Sequence, residues 1–244
     1  MNHSNKIAVI IPAAGASSRF GGLMPKQFSR LGDETVLEKS VNLFLGISSV
    51  HQVLIAVNQN EDLIKSQSFY QDPRIQIVAG GSTRSESVFN AMAEVDESIE
   101  IVAIHDAARP WLKKIHFEDL LSHLANDQSI EGVFPVISTT DSLRMKQGDD
   151  VIPVERENFF HVQTPQIFYH DSLKLALDKL QQKGLHMSDE SQAMEHAGFK
   201  VLAVPGERSN IKITYFEDLT HHIGTDLRIG RGVDFHKFQP GDGL

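Results

Sequence analysis

The chain has 244 residues with 41% apolar content, enough for one substantial globular core. Its 32 acidic and 23 basic side chains leave a formal charge of −9, which disfavours a general nucleic-acid or anionic-membrane binder and suits a small phosphorylated ligand held by a few placed cations. It contains no cysteine, so disulfides, thiolate metal sites and a cysteine nucleophile are excluded.

In chain order, residues 7–11 form an apolar run that reads as a buried first strand. Lys6 before it and Ala14-Gly15-Ala16 after it mimic a signal peptide, but Pro12 cuts the run. No stretch approaches the ~20 apolar residues of a membrane span, and the expectation is a soluble, cytoplasmic protein. Further strand-like runs lie at 53–57, 75–78, 101–104 and 133–137, with helical stripes between them at Val36, Leu37, Val41, Phe44 and Leu45, and at Val88, Met92 and Val95. This alternation predicts an α/β class, a Rossmann-like three-layer sandwich with a mostly parallel sheet covered on both faces. Residues 139–157 break the pattern. Two short segments flank Gln147-Gly148-Asp149-Asp150 and read as a projecting β-arm that needs a partner surface. Helices near 172–183 and 190–197, a strand at 201–204 and a last strand at 211–213 follow. Residues 1–224 read as one domain, and residues 225–244 as a tail with too little apolar content to fold alone, expected to be disordered.

Small and basic residues cluster where the strands end, which is where open α/β sheets bind ligands. Pro12-Ala13-Ala14-Gly15-Ala16-Ser17-Ser18-Arg19, followed by Pro25-Lys26-Gln27, combines close backbone approach with two cations, as a polyphosphate requires. It matches neither the dinucleotide glycine fingerprint nor a Walker loop. Gly80-Gly81-Ser82-Thr83-Arg84-Ser85-Glu86-Ser87 follows the third strand as either a base-contacting loop or a turn capping the next helix. His105-Asp106-Ala107-Ala108-Arg109-Pro110 follows the fourth, where Asp106 either holds a metal or substrate hydroxyl or caps a turn. Lys212, within Asn210-Ile211-Lys212-Ile213-Thr214, faces opposite to Ile211 and Ile213, either snorkelling its head to the sheet edge or binding phosphate. Arg156 and Thr164 flank the return of the arm. The twelve histidines show no H-E-x-x-H spacing and there is no G-x-S-x-G elbow, so protease and hydrolase readings lack their first residues.

As an ordered set, P-A-A-G-x-x-x-R, P-K-Q, G-G-x-x-R-x-x-S, H-D-A-A-R-P, T-P-Q and N-I-K-x-T resemble the 2-C-methyl-D-erythritol 4-phosphate cytidylyltransferases of non-mevalonate isoprenoid synthesis, over residues 6–224. The resemblance implies transfer of CMP from CTP to methylerythritol 4-phosphate, with Mg²⁺ held mainly by the CTP phosphates, no certain protein metal ligand, and a homodimer formed through the arm. Carried over by motif, Arg19, Lys26, Arg156 and Lys212 are catalytic. Pro12, Ala13, Ala14, Gly15, Gly81, Ser82, Arg84, Ser87 and Ala107 contact CTP. Asp106, Arg109, Ser142, Arg156, Thr164 and Lys212 contact the polyol phosphate. Ser82 stands where the family often has an acid, and residues 135–142 run about two residues longer than the family's P-V-x-D-T, so Ser142, Thr139 and Thr140 all remain in the place of its substrate-binding threonine.

Residues 227–238 resemble the opening of methylerythritol cyclodiphosphate synthase, whose D-x-H metal pair corresponds to Asp234 and His236. The remainder of that domain is missing, so the chain reads as a truncated bifunctional protein or a fusion remnant. Two other functions fit the same residues: a cytidylyltransferase for another polyol phosphate such as ribitol 5-phosphate, and a non-catalytic nucleotide-binding protein.

Overall fold

The six residues Ile7–Pro12 send alternate side chains to opposite sides, and this two-residue period builds both hydrophobic cores. The structure, a computed structural model, describes residues 5–15, 20, 24–58, 62–185 and 188–221. Its first elements are β1 (Ile7–Pro12), β2 (Arg30–Leu31), β3 (Glu34–Thr35), α1 (Val36–Leu45), β4 (Val50–Val57), β5 (Ile75–Ala79) and α2 (Arg84–Met92). Next come β6 (Ile101–Ile104), α3 (Lys114–Asn126), β7 (Gly132–Ser138), β8 (Leu143–Gln147), β9 (Asp150–Val154) and β10 (Phe160–Val162). The rest are β11 (Gln166–Tyr169), α4 (His170–Gln182), α5 (Glu190–His196), β12 (Val201–Pro205) and α6 (Glu217–His221).

Eight strands form the main sheet, with β5, β4, β1 and β6 parallel and adjacent in that order. Ile7, Val9 and Ile11 face Leu37, Val41 and Phe44 of α1 and Phe117, Leu120 and Leu124 of α3. Ala8 and Ile10 face Val88, Ala91 and Met92 of α2, Leu173 and Ala176 of α4, and Met194 of α5. Thus one register decides which helices lie on which side. α1 is started by a reciprocal cap in which Thr35 Oγ1 accepts from the Glu38 N–H and the Glu38 carboxylate accepts from the Thr35 N–H.

The second half of the sheet departs from the sequence expectation. β11 inserts between β6 and β7 and is antiparallel to both, while β12 runs parallel along the other side of β7. β10 and β11 lie along the same side of β7, pairing with its C-terminal and N-terminal halves respectively. Four-residue β11 and three-residue β10 are too short to show a period, and the T-P-Q motif breaks the run between them. Residues 211–213 are also corrected: they form no strand, but the Ile213 N–H donates to the Ala108 carbonyl at 2.8 Å and the Ile213 side chain is fully buried beside Phe20, Leu31 and Leu219.

The projecting arm is present as the β8–β9 hairpin, which pairs only with itself and turns at Gly148, where φ is +63°. Residues 225–244 lie outside the described residues. Phe44, fully buried, meets Phe117 and the His105 ring edge-on at centroid distances of 5.3 and 5.2 Å. Phe44→Ala is expected to cost about 3–5 kcal/mol in urea unfolding; a loss under about 1 kcal/mol would show that this junction is not a stability centre.

Candidate active site

Loops from the ends of β1, β5 and β6 meet at one end of the parallel strands, and backbone hydrogen bonds fix their mutual positions. The Ala13 N–H donates to the Ala56 carbonyl and the Ala13 carbonyl accepts from Gln27 Nε2, both at 2.7 Å, so the P-K-Q segment is tied to the loop after β1. The Gly80 N–H donates to the Val57 carbonyl at 2.8 Å. A side chain at Gly80 would collide with the Ala14 methyl, and one at Gly81 with Glu86, so these glycines are needed for loop approach.

Between these loops opens a cavity of about 540 Å³, within the ~300–1,000 Å³ typical of small-molecule sites. Pro12, Ala13, Ala14, Gly15, Lys26, Gly81, Ser82, Arg84, Ser87, Asp106, Ala107 and Lys212 line it, all of them named from sequence. Gln27, Asn58, Thr83, Ala108 and Thr214 also line it and were not named. Gln27, Ala108 and Thr214 are themselves letters of the P-K-Q, H-D-A-A-R-P and N-I-K-x-T motifs and Thr83 lies within G-G-x-x-R-x-x-S, so motif membership was the available signal; Asn58 had none. Arg19 lies outside the described residues. Ser142 and Arg156 belong to the arm and do not line this cavity; Arg156 donates to the Thr140 carbonyl at 2.6 Å and pairs with Glu157 at 3.3 Å. Ser87 Oγ accepts from the Gly81 N–H and donates to the Thr83 carbonyl, while Glu86 accepts from both the N–H and the hydroxyl of Ser82.

Asp106 anchors the charged side of the cavity. Its carboxylate meets Arg84 Nε at 3.1 Å, Lys212 Nζ at 2.9 Å and Arg109 Nε at 3.4 Å. Burial alone would raise its pKa, but Arg84, Lys212 and Arg109 override that and hold it well below the usual carboxylate range. Arg84 also meets Glu190 at 2.7 Å; burial opposes its charge, and Glu190 and Asp106 more than restore it. Lys212 reaches Asp106 while the side chain of the neighbouring Ile213 is buried. Lys26 Nζ donates to the Ile213 carbonyl at 2.8 Å, linking it to the same segment as Lys212. Arg109 is 8% exposed and lies behind the cavity, donating also to the carbonyls of Asn210 at 2.7 Å and Val162 at 3.3 Å.

Thr164, also behind the cavity, has its hydroxyl engaged on both sides. It accepts from the Asp106 N–H at 3.0 Å and lies 3.2 Å from His105 Nδ1. The Arg109 carbonyl, 3.0 Å from His105 Nε2, can only accept, so Nε2 carries the proton and Nδ1 accepts from Thr164. Burial, only partly opposed by the Arg109 carbonyl, the nearby Asp106 charge and the Thr164 backbone, pulls the His105 pKa down to about 4 from its ordinary 6.5. Between these values the unfolded chain binds more protons than the folded one, so stability is lost as pH falls from about 6.5 towards about 4. Asp106, being depressed, adds its own loss only below the ordinary Asp range. Urea midpoints measured from pH 7.5 to 4.5 should fall with acidification in the wild type and fall less steeply in His105→Gln; equal slopes would refute a neutral His105.

With this geometry established, comparison with known proteins becomes specific. The family model described as IspD, 2-C-methyl-D-erythritol 4-phosphate cytidylyltransferase, matches residues 7–222. A cytidylyltransferase of that name from Blochmanniella pennsylvanica is 35% identical over 217 residues, covering 87% of this chain and 91% of the relative. The crystal structure of the Francisella tularensis 2-C-methyl-D-erythritol 4-phosphate cytidylyltransferase is similar with a TM-score of 0.77 and 28% identity, covering 89% of this chain and 98% of that one. The structure of the bifunctional IspDF from Campylobacter jejuni is similar with a TM-score of 0.74 and 28% identity, over 88% of this chain but 54% of that one. Motifs, sheet order and cavity lining thus agree with the family match: the chain belongs to the 2-C-methyl-D-erythritol 4-phosphate cytidylyltransferase family.

Proposed function

We propose that this chain transfers CMP from CTP to 2-C-methyl-D-erythritol 4-phosphate, giving 4-diphosphocytidyl-2-C-methyl-D-erythritol and pyrophosphate. As a member of its family it is a nucleotidyltransferase. The observation that carries the site assignment is the cavity at the strand ends, where Lys26, Arg84 and Lys212 surround space beside Asp106. A phosphate oxygen of the polyol attacks the α-phosphorus of CTP. The new P–O–P linkage forms as the bond to the oxygen bridging the α- and β-phosphates breaks, and pyrophosphate leaves with that oxygen. Negative charge grows on the non-bridging oxygens and the leaving group, so placed cations supply the catalysis.

In this reading the backbone of residues 12–15 and the Gly81, Ser82, Ser87 and Ala107 group hold the nucleotide, together with Arg84. Arg19 and Lys26 stabilise the transition state. Lys212 holds the incoming phosphate ester, and Asp106 orients the polyol. Arg109 and Thr164, placed behind the cavity, fix Asp106 by the contacts described above. The described residues offer no cluster of three or more His, Cys, Asp or Glu side chains able to cage a cation, and Asp106 is already engaged by three basic groups. That donor set fits a divalent ion carried by the nucleotide's own phosphates, where Mg²⁺ would offset charge that the protein cations leave unmatched.

The arm supports a shared site. Leu143, Met145, Ile152 and Val154 lie on one face of the hairpin by strand pairing, and Met145, Phe159, Phe160 and Val162 are exposed. A two-stranded hairpin is marginal alone, and a clustered apolar surface marks an interface. A second copy covering that face would also bring the arm residues Ser142 and Arg156 towards a substrate phosphate, as the family resemblance implies. Residues 1–224 then act as the transferase unit. Residues 225–244 lie outside the described residues; we read them as the start of a cyclodiphosphate synthase unit. The support is the likeness of residues 227–238 alone. No helix among the described residues is long and apolar enough to cross a membrane.

Pyrophosphate release from CTP and Mg²⁺ should occur with methylerythritol 4-phosphate and not with ribitol 5-phosphate, nor with ATP replacing CTP. Reaction with ribitol phosphate alone would move the assignment to another polyol, and CTP binding without any turnover would favour a non-catalytic protein. Lys26→Ala should lower kcat by at least about tenfold without loss of fold. Light scattering should give a dimer mass; a strict monomer at assay concentration would remove the shared site.

A further inference from the structure

The loop between β5 and the first turn of α2 engages its hydrogen-bond donors within itself. The Gly81 N–H donates to Ser87 Oγ at 3.0 Å, and the Ser87 hydroxyl donates to the Thr83 carbonyl at 2.9 Å. The Ser82 N–H and the Ser82 hydroxyl both donate to one oxygen of the Glu86 carboxylate, at 2.7 and 2.6 Å. A carbonyl and a carboxylate can only accept, so the partners assign both hydroxyl protons. Glu86 folds back over the loop because position 81 has no side chain; one there would collide with the Glu86 stem. Glu86 itself is absent from the cavity lining, whereas Gly81, Ser82 and Ser87 belong to it.

What these three residues leave for a ligand is one-sided. Their N–H and O–H groups are all engaged inside the loop, while Ser82 Oγ keeps its lone pairs and Ser87 Oγ keeps one. Such a wall accepts and does not donate. It pairs with an amino group on a base ring, and it leaves a carbonyl at the same ring position facing lone pairs without a partner. Cytosine and uracil differ in this respect at ring position 4, which is an amino group in the first and a carbonyl in the second. The cytosine N3 is itself an acceptor, so the amino group is the part of that base that fits the wall. Asn58 and Thr83, elsewhere on the lining, carry groups that can donate, so the one-sidedness belongs to the Gly81, Ser82 and Ser87 face.

We propose that Glu86 is a positioning residue for base selection: by holding the Ser82 proton it makes Ser82 an acceptor, and so sets a preference for an amino over a keto pyrimidine, CTP over UTP. The inference rests on the placement of the nucleotide in this cavity and deepens it, because discrimination is assigned to a residue outside the lining. Helix capping does not account for the carboxylate. The start of α2 has its own cap in Thr83, whose hydroxyl accepts from the Glu86 N–H at 3.1 Å.

The test is Glu86→Gln, whose amide keeps the size and an accepting oxygen but adds a donor, so that the Ser82 hydroxyl can turn and give its proton to a ligand. Affinity for CTP with Mg²⁺ is measured by calorimetry, and that for UTP by displacement of CTP. The wild type should prefer CTP, and in Glu86→Gln that preference should shrink at least about fivefold, mainly through tighter UTP. Ser82→Ala, which probes the same contact should the first variant fail to fold, should shrink it by a similar factor through weaker CTP. Because Glu86 acts through Ser82, the double variant should lose no more than Ser82→Ala alone. A merely loosened loop would weaken both nucleotides alike, so an unchanged CTP-to-UTP ratio in either folded variant, or additive losses in the double variant, would overturn the proposal. So would a wild type that binds both nucleotides equally, even one that turns over methylerythritol 4-phosphate. A wild type that prefers CTP in binding, loses the preference in Glu86→Gln and releases no pyrophosphate with the polyol would remove the transferase reading and leave the role of Glu86 standing.

Discussion

Asp106 can stay ionised when buried only if cations surround it, and meeting that condition draws distant parts of the chain to one end of the sheet. Arg84 comes from the start of α2, Arg109 from the loop after β6, and Lys212 from the segment following β12. With Glu190 the cluster holds three cations and two carboxylates, leaving one positive charge at the cavity edge. An ion cluster of this kind adds little net stability against well-packed apolar groups, but removing one partner strands the others. What it secures is geometry: each cation is held before any ligand arrives, as electrostatic catalysis requires.

Behind that cluster lies a layer of neutral hydrogen bonds with the same effect. The Asp106 N–H, the Thr164 hydroxyl and the His105 ring form a relay that ends on the Arg109 carbonyl, while Arg109 and Gln163 both donate to the Asn210 carbonyl. Asn210 in turn donates from its side chain to the Thr164 carbonyl at 2.8 Å. The motifs H-D-A-A-R-P, T-P-Q and N-I-K-x-T are therefore one interlocked unit in space. The His105 ring also packs edge-on against Phe44, which connects the relay to the larger hydrophobic core. The arm stands apart from this rigid centre, paired with itself and presenting apolar side chains outward. The molecule thus combines a densely hydrogen-bonded centre at the strand ends with a self-paired appendage that exposes apolar side chains.

Much of this was legible in the chain. The runs at 7–11, 101–104 and 201–204 became strands within a residue or two, because a buried strand must be apolar whatever its neighbours. The glycines and small residues after β1 and β5 marked the loops, because only they allow backbone approach. Less was legible around Gln166. Four residues cannot show a period, so β11 went unseen, and with it the antiparallel half of the sheet. The segment at 211–213 read as a strand from its alternating pattern; it alternates because Ile213 packs against Leu31 and Leu219, without any ladder.

Glu190 marks the boundary between the two kinds of information. Asp189 and Glu190 read locally as a capped helix start, and nothing nearby in the chain indicates that Glu190 meets Arg84, 106 residues earlier. The sequence by itself determined the strand and helix periods, the glycine-bearing loops and the family motifs, because sterics and burial period act over a few residues. Only the tertiary structure decided which charges neutralise one another, which side Lys212 faces and which motifs touch. Those outcomes depend on strand order and on the free energy of burying ions together, neither of which is a property of any local stretch of chain.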